Sequence, residues 1–289
     1  MLCHCGNPAV IETLCREHFL ESIERKVKET IDRFNLIMPN DKILVAASGG
    51  KDSMTLALIL HKLQYTFDIL AIDEGIPGYR EHTLSELLTF CKQQGFPPPN
   101  VVSFKDVLGD SLQELLQSHK PCTVCGTFRR YLLNKYAKGY DKLATGHNLD
   151  DEAQTILMNV YKGQPFLLAK LGPITKANAQ FTRRIKPLYF CTERETRAYA
   201  FLNNLPLAFH ECPYTHESYR DAVRSVLNNA EQQSGMKRNI VNAFLVMHER
   251  LREERNLRQC ERCGEASSGR ICKACQLLDV ASAEPGTES

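Results

Sequence analysis

The sequence predicts an α/β fold: a parallel sheet of about five strands with helices on both faces. Two observations carry that expectation. From Lys42 onward, short apolar runs rich in β-formers alternate with segments of helical periodicity. A glycine pair then separates the first such run from the helix that follows it, "KILVAASGGKDSMT". At 289 residues the chain is long enough for one core of moderate size with small appendages.

The elements follow in order. Phe19, Ile23, Val27, Ile31 and Phe34 keep near-helical spacing, with charges between them, and predict an amphipathic helix. "KILVAA" reads as a buried strand, "DSMTLALILHKL" as a helix, "FDILAID" as a second strand and "REHTLSELLTFCKQQ" as a second helix. "NVVSF" and "DKLATG" read as further strands. After "GHNLDDEAQTILMNVYKG", residues 163–182 look loop-like, punctuated by Gly163, Pro165, Gly172 and Pro173. "TERETRAYAFLNN" opens on a capping-box pattern, Thr192 with Glu195. Residues 215–257 read as two helices broken near Ser234 and Gly235, and the polar tail is expected to be disordered.

Composition narrows the function classes. Net charge is only +2, so any polyanion would have to meet a local basic patch. The chain lacks an uninterrupted apolar run of about eighteen residues and a signal-peptide core, so the expectation is a cytoplasmic protein with no membrane association. Twelve cysteines, most of them clustered, then point to metal rather than disulfides. Cys260-x-x-Cys263 and Cys272-x-x-Cys275 place four thiolates on two knuckles, the pattern of a closed tetrahedral zinc site. Cys3, Cys5, Cys15 and His18 form a second, less regular set in which His4 could replace a thiolate. The expected organisation is an N-terminal zinc module over 1–20, a main α/β domain over 21–258, a zinc ribbon over 259–277 and a disordered tail over 278–289.

"SGGKDS" stands where a strand turns into a helix, so consecutive backbone N–H groups and the positive helix end can cradle an anion. It is not a Walker A loop: Val45 stands where the first glycine should be, and Asp52 where the magnesium-binding hydroxyl should be. Cys122-x-x-Cys125 opens another helix and by itself fits a redox pair, half a zinc site or buried structural cysteines. Asp150 and Asp151 lie at a helix start, where capping accounts for one of them and a chemical role is open for the other. Arg129 shares a helix side with Cys125. Arg183, Arg184 and Lys186, with Arg220 and Arg224 further on, are candidates for RNA phosphates, although a solvated surface explains any one of them.

"SGGKDS" resembles the pyrophosphate-binding loop of the N-type ATP pyrophosphatases. "AIDEGI", "PCTVCG", "ATGHNLDDEAQT", "RIKPL" and "ECPY", between two end cysteine clusters, resemble the tRNA 2-thiouridine synthetases of the TtuA type. That resemblance spans roughly residues 1–276 and implies a 4Fe–4S cluster held by Cys122, Cys125 and Cys212 only, leaving one iron open for sulfur. It implies ATP at Ala46, Ser48, Gly49, Gly50, Lys51, Asp52, Ser53, Ile72, Asp73, Arg129, Gly146 and His147. Asp151 is expected as a catalytic or magnesium-linked carboxylate, and two Zn2+ ions at the end clusters. Implied partners are tRNA, a second copy of the chain, and a sulfur donor, either a thiocarboxylated ubiquitin-like carrier or inorganic sulfide. The family's first cluster usually opens with CxxC, whereas this chain has Cys3-x-Cys5, and some relatives carry lysine where Arg129 stands. Rival readings are a 2-thiocytidine enzyme, another ligase with the same loop, and a non-catalytic zinc-ribbon RNA binder.

Overall fold

A computed structural model describes residues 1–116, 120–175, 180–208, 210–215, 219–231, 235–248 and 258–282. Helix α1 (Arg16–Phe34) leads into strand β1 (Ile43–Ala46), helix α2 (Lys51–Lys62), β2 (Phe67–Asp73), α3 (Arg80–Gln94) and β3 (Asn100–Ser103). Two short helices, α4 (Phe104–Leu108) and α5 (Leu112–Leu115), precede α6 (Pro121–Tyr136), β4 (Lys142–Thr145) and α7 (Leu149–Tyr161). After α8 (Pro165–Leu168) come β5 (Arg183–Ile185), α9 (Glu193–Leu202), α10 (Tyr219–Glu231) and α11 (Met236–His248). The chain closes with a small hairpin, β6 (Arg258–Gln259) and β7 (Ala266–Ser267), and α12 (Lys273–Ser282).

The five-stranded sheet has the order β3-β2-β1-β4-β5, and every pairing is parallel. Alternate side chains of one strand therefore serve opposite faces. Ile43 and Val45 of β1 join one core with α1, α2, α3 and α9, while Leu44 joins another with α5, α6 and the C-terminal cysteines. A third core packs α7, α10 and α11 around Tyr189. The chain builds outward from β1 through β2 to β3, then returns to the other side of β1 for β4. That reversal opens a crevice at the carboxyl ends of β1 and β4, the place where doubly wound sheets receive ligands.

Three local expectations are revised. The fifth strand is Arg183–Ile185, a stretch legible only as a basic cluster, because pairing with β4 decides its state. The segment 163–182 carries a short helix, α8, anchored by buried Leu168. The expected disordered tail begins too early: α12 runs to Ser282, held by partly buried Leu278 and by an ion pair between Arg262 and Asp279. Residues 283–289, Ser234 and the end of the second expected C-terminal helix lie outside the described residues. Helix α1 also runs across the expected boundary at residue 20, because His18 sits in its first turn while Phe19, Ile23 and Val27 are core residues. Among the described residues no helix is long and apolar enough to cross a membrane.

Candidate nucleotide and thiol site

The loop after β1 reaches α2 through Gly49 and Gly50. Gly49 has φ +82°, and a Cβ there would stand 2.0 Å from the Thr83 carbonyl oxygen, so only glycine fits. The first helical bond of α2 runs from Met54 N–H to the Gly50 carbonyl (3.2 Å), which leaves the N–H groups of Lys51, Asp52 and Ser53 without an intrahelical acceptor. Ser53 Oγ accepts from Ser48 N–H (3.2 Å) and donates to the Gly50 carbonyl (2.9 Å), so the hydroxyl sets the curvature of the loop. From β4, Gly146 meets the loop closely: a Cβ there would lie 2.9 Å from Ser53 N.

Between these elements lies a cavity of about 240 Å³. Ala46, Ser48, Asp52, Ser53, Ile72, Arg129, Gly146, His147 and Asp151 line it, as do Glu74 and Arg80. Gly49, Gly50, Lys51 and Asp73 are outside that lining. Lys51 pairs with Asp52 (2.9 Å) and with Glu193 at the start of α9 (3.1 Å). Asp73 accepts from Gly75 N–H (2.9 Å), which closes the turn after β2. Asp52 also accepts from Asn148 Nδ2 (3.2 Å) and from Thr196 Oγ1, so the loop is tied to α7 and α9.

Glu74 and Arg80, which sequence reasoning missed, form a wall that adjoins the loop. Arg80 is 3% exposed and Glu74 6%. Arg80 donates to the Ser48 carbonyl, to the Ile72 carbonyl (2.5 Å) and to Thr83 Oγ1 (2.9 Å), and its Nε lies 3.0 Å from Glu74. Glu74 also pairs with Arg129 of α6 (3.2 Å), whose side chain is 45% exposed. One carboxylate thus faces two guanidiniums, and the wall keeps a net positive charge. No local motif announces this, because the partners are brought together from β2, α3 and α6.

Asp151 serves two ends of one geometry. Its N–H and Oδ2 close a capping box with Asn148 (3.1 and 3.2 Å), while Oδ1 stands 3.6 Å from Arg220. Burial pushes its carboxyl up to about 6, with nearby Asp52 adding to the rise and Arg220 opposing it. Asp150 points elsewhere: it pairs with Lys237 and accepts from Glu193 N–H (2.7 Å). His147 reaches solvent at one edge and its Nδ1 lies 2.9 Å from Thr145 Oγ1. Enclosure by the cavity wall, then the charges of Lys186, Arg220 and Arg129, hold its imidazole well below its ordinary value.

The thiols lie on the same side. Cys125 is one helical turn from Arg129 on α6, Cys122 Sγ is 3.6 Å from the Tyr214 carbonyl, and Cys212 packs against the same core as Cys125 and Tyr79. Burial pushes the Cys125 thiol up to about 12, aided by the Glu74 charge and opposed by Arg129. Among the described residues the groups tight enough to grip one ion are Cys3–Cys5–Cys15–His18 and Cys260–Cys263–Cys272–Cys275, each within 4.8 Å, and His4 Nδ1 lies 3.5 Å from Cys3 Sγ beside the first. His18 Nδ1 lies 3.2 Å from Cys3 Sγ and 3.4 Å from Cys15 Sγ, and Cys263 Sγ is 3.7 Å from Cys272 Sγ. These sets have the donors and the tightness of tetrahedral zinc.

The candidate RNA residues are mostly engaged within the chain. Lys186 pairs with Glu152 (2.7 Å), Arg220 donates to Gln154 and Thr155, and Arg183 donates to the Thr175 carbonyl. Arg184 donates to Asn134 (2.7 Å), and Arg224 lies near Glu193, whose carboxyl, opposed by burial, is lowered by Lys51 first and then by Arg224.

Comparison with known proteins agrees with this geometry. A family model described as the PP-loop domain matches residues 19–231. The tRNA-5-methyluridine(54) 2-sulfurtransferase of Pyrococcus horikoshii is 41% identical over 270 residues, covering 91% of this chain and 87% of that protein. Cytoplasmic tRNA 2-thiolation protein 1 of Oryza sativa subsp. japonica is 35% identical over 288 residues, covering 94% and 78%. Among solved structures, the U34-tRNA thiolase NcsA of Methanococcus maripaludis, determined with its 4Fe–4S cluster, superposes with a TM-score of 0.83 at 33% identity, covering 97% and 96%. The chain belongs to the PP-loop family of tRNA-thiolating sulfurtransferases.

Proposed function

We propose that the chain thiolates a tRNA uridine at C2 at the expense of ATP. The observation that carries this reading is a shared wall: Glu74 ties the nucleotide loop, through Arg80, to the cysteine helix, through Arg129. A uracil C2 oxygen is a very poor leaving group, and ATP converts it into one. That oxygen attacks the α-phosphorus, pyrophosphate departs, and AMP leaves when sulfur adds at C2. The unpartnered N–H groups of Lys51, Asp52 and Ser53, and the excess positive charge of the Arg80–Glu74–Arg129 wall, stabilise the departing pyrophosphate. Asp151 lines the cavity and supplies a carboxylate for magnesium on the nucleotide, which takes one or two. Asp52, held by three partners, keeps the loop in shape.

Cys122, Cys125 and Cys212 fit a 4Fe–4S cluster. All are sulfur donors gathered at one end of α6: Cys125 shares a core with Cys212, and Cys122 meets the carbonyl of Tyr214, two residues beyond Cys212. When bound, such a cluster supplies an iron without a protein thiolate, able to carry a sulfur atom. The two end clusters hold zinc as staples for segments too small to fold alone. A thiocarboxylated carrier protein or inorganic sulfide supplies the sulfur, and the working unit is a homodimer in the cytoplasm.

The test combines tRNA, ATP and sulfide under anaerobic conditions and measures pyrophosphate and digested nucleosides together. Expected are tRNA-dependent pyrophosphate release and 2-thiouridine. Thiocytidine, or pyrophosphate release indifferent to tRNA, overturns the proposal. Cys122→Ala, Cys125→Ala and Cys212→Ala should each abolish the iron–sulfur absorption of the reconstituted protein.

A further inference from the structure

Helix α6 carries two parallel stripes. Cys125, Arg129 and Leu133, four apart, belong to the nucleotide side, where Arg129 and Leu133 line the cavity. Cys122, Gly126, Arg130 and Asn134, also four apart, form the neighbouring stripe, and Arg130 is absent from the cavity lining. Gly126 has a specific use there. A Cβ on it would lie 3.3 Å from Arg130 Nη1 and 3.8 Å from Cζ, so the guanidinium is folded back over the bare glycine toward the cysteines. Arg184 of β5 closes the stripe, donating to Asn134 Oδ1 (2.7 Å) and reaching the Arg130 carbonyl at 3.5 Å.

Arg130 and Arg184 have no carboxylate partner among the described residues, whereas Arg129 and Arg80 next to them share Glu74. Arg184 is held down to about 10, by burial first and then by the charge of Arg130. Arg130 is exposed and Arg184 half-buried, so the pair stands open to a ligand, and an anion bound between them relieves the repulsion of two adjacent cations. The geometry points to a binding site for an RNA backbone phosphate on Arg130 and Arg184, beside the exposed Cys122 thiol and outside the nucleotide cavity. Guanidinium forks suit phosphate oxygens, and such contacts fix the register of an RNA without reading its sequence. A phosphate held there leaves its neighbouring nucleotide free to turn in, between the two stripes, toward the cavity and the thiols.

This inference rests on the tRNA-thiolation reading and is tested separately from it. Binding of deacylated tRNA to the full chain is measured across a salt series for wild type, Arg130→Gln, Arg184→Gln and the double variant, with Arg25→Gln, on the solvent side of α1, as control. Each site substitution should weaken binding roughly tenfold and flatten the salt slope by about 1. Arg25→Gln should leave both unchanged, ATP affinity should be unaffected in all variants, and iron–sulfur absorption should be retained. Unchanged tRNA affinity in the double variant, with wild type binding normally, overturns the site. A loss of ATP affinity in place of tRNA affinity overturns it as well, since the anion would then be a nucleotide phosphate. Failure of wild type itself to bind tRNA would refute the thiolation reading on which the site depends.

Discussion

Glu74→Gln isolates the central wall with almost no change of shape. Glu74 faces two cations, but they are not equivalent. Arg129 has a 45% exposed side chain, and such pairs contribute roughly 0–1 kcal/mol. Arg80 is 3% exposed, and removing the partner of a buried charge costs about 3–5 kcal/mol. The buried half dominates, and a loss of about 3 kcal/mol corresponds to a fall in Tm of roughly 6–12 °C. Arg129→Ala should instead lower Tm by less than about 4 °C. Thermal unfolding of the variants measures both. Because Arg80→Met in the Glu74→Gln background removes a charge already unpaired, it should cost less than in the wild-type chain, by about 1–3 kcal/mol. A Glu74→Gln variant within about 2 °C of wild type, or strict additivity with Arg80→Met, would refute the reasoning.

Three further outcomes follow from the same geometry. Gly49→Ala forces a left-handed φ on alanine and a Cβ onto the Thr83 carbonyl, so ATP affinity measured by titration should fall more than about tenfold. The Asp151 carboxyl is raised above its ordinary value of 3.8, so its ionised form is penalised in the folded chain. The metal-free protein should therefore lose stability as pH rises from about 4 to about 6, with no further change from this group above that; Asp151→Asn should flatten the profile in denaturant melts. Chelation of the C-terminal cluster should loosen the ribbon and α6 together, because Cys260, Cys272 and Cys275 share a core with Val124 and Phe128. Cys263→Ser should halve zinc content by elemental analysis and expose α6 to faster hydrogen exchange.

What sequence could and could not reveal divides by range of interaction. The Gly-Gly turn, the strand-to-helix alternation and the cysteine spacings are local, and each has a physical reading from adjacent residues. The Asp151 capping box was equally local, though the side chain also faces the cavity. Glu74 and Arg80 were not legible: a carboxylate after a strand and an arginine opening a helix look like ordinary surface residues until β2 and α3 bury them together. Arg183 and Arg184 concealed the fifth strand for a related reason, since pairing with β4 overrides their charged, non-alternating pattern. Lys51 reads as a phosphate ligand by position, and its partner Glu193, from a distant helix, is what no local pattern shows.

The direct test of the central claim follows one oxygen atom. A tRNA carrying oxygen-18 at C2 of its uridines is incubated with enzyme, ATP and sulfide, and the AMP is analysed by mass spectrometry. Attack of the C2 oxygen on the α-phosphorus, followed by displacement with sulfur, predicts AMP carrying the heavy oxygen in step with thiolated nucleoside. Unlabelled AMP alongside 2-thiouridine would contradict the account, because the oxygen would then have left by a route that bypasses the nucleotide.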